Sequence, residues 1–166
     1  MITRRAFAGL LAAAPALLGQ SRAKTKAYDG PRPEKPDIPY LLHAANLIET
    51  ESAEANEEKR KEETVYVVAG ASSPVRTPLA EPIFLLLSEK ILPEKLELYK
   101  MTVKNGRREI VFPENARRRR EIRPVHVVLT KLDGSLYRIE ANEGVDIGEY
   151  SLTPAGSNQV FCFQVY

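Results

Sequence analysis

Asn105 and Gly106 stand between two runs of alternating side chains, "KLELYKMTVK" before them and "RREIVF" after them. Both central residues of a type I′ turn need positive φ, which Asn and Gly tolerate best, and such a turn joins antiparallel strands. A hairpin is therefore predicted over residues 95–112, and whatever surrounds it must be able to pair with it. Asp133-Gly134 predicts a second hairpin over 125–141, with Val125, Val127 and Leu129 alternating inward. In the first arm Leu96 and Leu98 share one face, whereas Tyr99, Met101 and Val103 share the other, so a β-bulge is expected near Lys100. "TVYVVAG" (64–70) and "PIFLLLSE" (82–89) are continuous apolar runs punctuated by Gly or Pro, the pattern of buried strands.

Residues 41–63 are ambiguous. Leu41, Ala44, Ala45 and Ile48 fit a helical stripe, and "ETESAEANEEKRKEE" is rich in helix formers. A strand over 40–50 that leads into a projecting, acidic, charged hairpin fits as well and is the preferred expectation. A single cysteine, Cys162, excludes an intramolecular disulfide, so packing alone must hold the fold. Flanked by Phe161 and Phe163, that thiol is expected to be buried and inert.

Near the C-terminus "VDIGEYSL" (145–152) has the spacing Asp-x-Gly-x-Tyr-x-apolar, followed by the strand-like "NQVFCFQVY". Asp146, Gly148 and Tyr150 in this pattern resemble the tyrosine corner of immunoglobulin-like β-sandwiches, in which the Tyr hydroxyl turns back to the preceding backbone. Leu152 stands where antibody domains place a cysteine, and the chain has no Trp, so the resemblance extends to the architecture and to small exported bacterial domains of that kind, not to antibodies. It implies an all-β fold: an immunoglobulin-like antiparallel β-sandwich of roughly 7–9 strands over residues 40–166. A different two-sheet barrel is the alternative.

The first 23 residues are expected to be an export signal. Arg4 and Arg5 form an acid-free basic start, "AFAGLLAAAPALLG" is a short apolar stretch, and "SRA" ends in small Ala23 at a cleavage position. Thr3-Arg4-Arg5-Ala6-Phe7 resembles the bacterial twin-arginine signal, with Phe7 two places after the arginines. That resemblance implies a product exported already folded, to the periplasm or the exterior. The stretch is too short and too rich in Ala and Gly to span a bilayer, and no transmembrane segment is expected in the mature chain. Residues 24–39 carry four prolines between Pro31 and Pro39 and read as a Pro-rich tether.

Removing the three leader arginines from 24 basic side chains, against 22 acidic ones, turns the formal charge from +2 to −1. A near-neutral exported chain lacks the excess of Lys and Arg that general nucleic-acid binding requires, so no nucleic-acid partner is expected. The remaining charge is segregated: residues 49–63 hold seven acids and three bases, and residues 104–123 hold eight bases and three acids. If the two segments lie on different faces they can meet between molecules and drive self-association. If they lie side by side they neutralise each other. Arg107, Arg108, Arg117, Arg118, Arg119, Arg120 and Arg123 are the candidate ligand- or partner-binding residues.

Catalytic patterns are sparse. His43 and His126 are the only neutral-pH bases, and neither sits in a recognised motif. His126 alternates away from Val125 and Val127, and Ser72-Ser73 lack a nucleophile-elbow pattern because Pro74 follows. No catalytic residue is assigned, and neither a metal nor another cofactor is expected. The leading expectation is a non-catalytic interaction or structural domain that binds an unidentified protein outside the cytoplasm through edge strands or loops. The alternatives are a module binding an acidic glycan or other polyanion through the arginines, and a hydrolase of unspecified type.

Overall fold

The computed structural model describes residues 27–115 and 122–166. Within them the chain is all-β, apart from one 3-10 turn at Pro93–Lys95. In chain order the strands are β1 (Tyr40–His43), β2 (Asn46–Glu49), β3 (Glu51–Glu54), β4 (Asn56–Arg60), β5 (Glu63–Ala69), β6 (Arg76–Thr77), β7 (Ile83–Leu87), β8 (Leu96–Lys104), β9 (Arg107–Pro113), β10 (Val127–Asp133), β11 (Leu136–Ala141), β12 (Gly148–Pro154) and β13 (Gln159–Val165). One sheet has the order β10-β11-β7-β1-β2, and the other β3-β13-β12-β8-β9-β5-β4. The short β6 joins the second sheet beside β13, in the one parallel pairing.

Both predicted hairpins form. Asn105 (φ 51°) and Gly106 (φ 72°) turn β8 into β9, as a type I′ turn demands. Gly134 (φ 50°) turns β10 into β11, with a register shift between Lys131 and Asp133.

The second sheet serves two cores. Its β12 and β13 place Tyr150, Leu152, Phe161 and Phe163 against Leu41, Phe84, Leu86 and Ile139 of the first sheet, forming the main core. On the opposite face Ala55, Val68, Met101, Ile110, Val160 and Cys162 form a smaller core. Each fully buried aliphatic or aromatic side chain contributes about 1.5–3 kcal/mol, so both faces of β13 carry substantial stabilisation. This accounts for the unbroken apolar run "VFCF".

The two cores also correct the expected bulge at Lys100. Pairing of β8 with β12 runs in register from Leu96 to Met101, so nothing is inserted there. Leu96 and Leu98 face the main core, whereas Tyr99 and Met101 face the smaller one.

Residues 41–63 are strands, and the helical alternative is overturned. β1 and β2 form a hairpin through Ala44 (φ 54°), and β4 and β5 form another through Lys61 (φ 49°). The acidic segment lies within the sheet rather than projecting from it. β3 and β4 occupy opposite ends of the strand order, yet only Ala55 separates them in the chain. The Ala55 N–H donates to the Asn158 carbonyl at 2.8 Å where the strand changes partner from β13 to β5. The sheet's two ends therefore run into each other, and it curls into a half-barrel. The expected 7–9 strands become thirteen among the described residues. Partner switching cuts one long strand into β3 and β4, and the short β2 and β6 add further pieces.

The Pro-rich segment is docked along its described part. Pro33 and Pro39 are buried. The Asp37 N–H donates to the Leu87 carbonyl, and the Asp37 carboxylate accepts the N–H groups of Glu89, Lys90 and Ile91 at 2.9–3.1 Å.

Candidate functional site

The structure separates the arginines singled out in the sequence. Arg108 points into the half-barrel and is 1% exposed. Its guanidinium donates to both Glu51 carboxylate oxygens, at 2.6 and 2.8 Å, and to the carbonyls of Ala69 and Gly70. Arg107 lies on the convex face, where it pairs with Glu58 at 3.0 Å and Glu109 at 3.2 Å. Arg60 joins the same group by pairing with Glu109 at 3.0 Å. The hydrogen bonds from Arg60 outweigh the cost of burial and hold the Glu109 carboxyl below the usual range. The acidic and basic segments thus lie side by side where they are described and neutralise each other there. Arg107 and Arg108 are committed to these internal pairs and are not presented together to an external anion. Arg123 is exposed. Arg117, Arg118, Arg119 and Arg120 lie outside the described residues, as do Arg4, Arg5, Phe7 and Ala23 of the expected export signal.

Asp146, Gly148 and Tyr150 lie close together beside Lys100. The Tyr150 hydroxyl donates to the Asp146 carbonyl at 2.8 Å, Lys100 reaches the Asp146 carboxylate at 3.2 Å, and a Cβ on Gly148 would lie 3.1 Å from the Lys100 side chain. Burial raises the Tyr150 hydroxyl above its ordinary pKa, which keeps it a donor. His43 and His126 are both exposed, and the His126 carbonyl accepts the Asn142 N–H. No group of three or more His, Cys, Asp or Glu suited to a metal occurs among the described residues. Among them, too, no helix is long and apolar enough to cross a membrane.

Two features of the surface remain. The first is the outer edge of β10. Asn142 N–H to His126 carbonyl is a bonded rung of the β10–β11 ladder, whereas the Ala141 N–H turns the other way, to Pro82. Bonded and non-bonded pairs alternate along an antiparallel ladder, so Val128 and Thr130 bond to β11. The backbone groups of Val127, Leu129 and Lys131 point outward instead, and no described strand pairs with them. The side chains of Val127 and Leu129 pack against the main core, which holds the edge in place.

The second feature is the mouth of the half-barrel, a cleft of about 540 Å³. It opens because β8 pairs with β9 only over Thr102–Lys104, and beyond that point Val125 bridges to Leu98 instead. Tyr66, Tyr99 and Phe112 line the cleft over a floor that includes Ala55, Ile110 and Val160, with Glu57, Lys59 and Glu97 at its polar parts. Sequence reasoning did not find this group. Each aromatic ring sits in an ordinary strand pattern, and only the curl brings the three strands to one mouth.

The chain matches no protein-family model, no curated protein and no solved structure.

Proposed function

We propose that this is a non-catalytic interaction domain, exported from the cytoplasm by its twin-arginine-like leader, that docks an extended segment of a partner protein on the outer edge of β10. The observation that carries this reading is the seven-residue β10, with three outward-facing backbone positions. An added strand gains main-chain hydrogen bonds there, while alternate side-chain contacts select its sequence. The opposite edge of the same sheet, β2, spans four residues and offers far less. Open edges of this length are usually blocked because they invite pairing. Here Lys131 is the single charged residue before the terminal Asp133. The immunoglobulin-like type of the sandwich belongs to the same proposal and is supported by the Tyr150 to Asp146 hydrogen bond.

The test is to pan a library of extended peptides against the purified full chain and follow amide exchange with the selected binders. Binding should slow exchange at Val127, Leu129 and Lys131, and Lys131→Pro should abolish it by removing an outward donor. Binders that leave these amides unprotected would sink the proposal.

A further inference from the structure

We propose that the mouth of the half-barrel binds an organic cation, an ammonium or guanidinium group carried on an apolar stem. The walls and the charges of the cleft support this together. Phe112 meets Tyr66 and Tyr99 edge-on, with ring centroids 5.7 and 5.5 Å apart and ring planes at 82° and 84°. The aromatic wall therefore turns through near right angles and offers π surface in more than one direction. Cations are drawn to such faces by the ring quadrupole, with about 0.5–2 kcal/mol for each well-placed contact.

The charges are unevenly matched. Lys59, the one basic residue lining the cleft among the described residues, donates to the Thr64 hydroxyl at 2.8 Å and stands 3.8 Å from both Glu57 and Glu114. Its charge is answered twice. The Glu97 carboxylate accepts the Tyr99 hydroxyl at 2.9 Å, and no basic side chain forms an ion pair with it among the described residues. A half-buried carboxylate that shares the cleft with three aromatic rings and has no ion-pair partner among the described residues favours a positive ligand and disfavours an anionic one. The volume of about 540 Å³ lies in the range of small-molecule sites and exceeds what a bare metal ion needs, so the charged group comes with a stem. The site lies in the other sheet from β10, and it stands or falls separately from strand addition there.

The cation can arrive as a free ammonium compound or as a basic side chain of a polypeptide, and two probes distinguish these sources. Choline and Nα-acetyl-lysine methylamide are titrated into the full chain while the aromatic resonances of Tyr66, Tyr99 and Phe112 are followed by NMR. The uncharged isostere 3,3-dimethylbutan-1-ol serves as control. At least one cation should give saturable shifts at these three rings, with affinity at least about tenfold higher than for the alcohol, in line with the cation–π contribution. Glu97→Gln should weaken that binding about tenfold through the lost charge attraction, with the ring-to-ring contacts of the cleft retained. Glu57→Gln, on the exposed β4, should weaken it by a smaller factor and supplies the charge test if Glu97→Gln does not fold. Shifts by neither cation, equal affinity for the alcohol, or unchanged cation binding in the folded Glu→Gln variants would overturn the proposal.

Discussion

Arg108 and Glu51 meet inside the half-barrel in a two-bond ion pair, Nη1 to Oε2 at 2.6 Å and Nη2 to Oε1 at 2.8 Å. Glu149 stands close by, with Oε2 3.9 Å from Arg108 Nη1 and accepting the Ser73 N–H at 3.0 Å. Its Oε1 is buried without a hydrogen-bond partner among the described residues. One guanidinium therefore compensates two acids on the inner face of the sheet, and its carbonyl contacts tie β9 to the end of β5.

Replacing Arg108 by Met should cost about 3–5 kcal/mol of unfolding free energy, because breaking a buried pair leaves uncompensated charge behind. Urea denaturation measures this directly. In the native protein burial raises the Glu51 carboxyl, but the Arg108 and Ser73 hydrogen bonds outweigh it and the net shift is downward. That stability is present above the unfolded carboxyl pKa and is lost as pH falls through the lower folded value. Without Arg108 the Ser73 hydrogen bond alone opposes burial, so the downward hold on the carboxyl weakens and the variant's deficit should shrink on acidification. A deficit that is constant with pH would mean that lost packing, not charge, is responsible.

Asp37 supports the turn after β7. Burial alone would raise its carboxyl, but the backbone N–H groups of Ile91, Glu89 and Lys90 hold it below the usual range. A folded pKa below the unfolded one means a contribution present above pH about 4 and lost as pH falls through the folded value. Asp37→Asn should lower stability by about 1–2 kcal/mol at neutral pH and by less in acid, as read from thermal melts at several pH values.

Tyr150→Phe removes the hydroxyl that reaches the Asp146 carbonyl and leaves the ring stacked on Phe163. The expected loss is about 1 kcal/mol, a fall in Tm of about 3 °C for a domain of this size. Calorimetry showing no change would mean that water replaces the hydroxyl without penalty.

Cys162 should resist alkylation while the protein is folded. It is fully buried, and desolvation pushes its thiol up to about 12 even though Arg108 pulls it down. Iodoacetamide labelling at neutral pH should then track unfolding, rising with urea along the same curve as tyrosine fluorescence. Rapid labelling of the folded protein would contradict this burial.

Much of the local structure was legible in the sequence for simple physical reasons. Asn105-Gly106 and Asp133-Gly134 carry turn chemistry that needs no distant partner, and the hairpins follow from backbone sterics. The Asp146 to Tyr150 spacing brings hydroxyl and carbonyl together within five residues. Burial of Cys162 follows from its apolar neighbours. What happened at Lys100 and across residues 41–63 was not legible there. Alternation states that a side chain has a face, but not how many cores the sheet will serve, so a strand between two cores looks like one with a bulge. Helix formers in "EANEEKRKEE" lose to sheet pairing that only β5, β9 and β13 can supply.

Turn residues, alternation and a cysteine count are local facts, and they were enough to specify a β-rich chain built from hairpins and held without disulfides. The curl of the sheet at Ala55, the pairing of Arg107 and Arg108 with Glu51, Glu58 and Glu109, and the meeting of Tyr66, Tyr99 and Phe112 in one cleft came instead from the folded arrangement. Each of these depends on residues far apart in the chain meeting at a few ångströms, and such meetings are set by strand order, which periodicity does not encode.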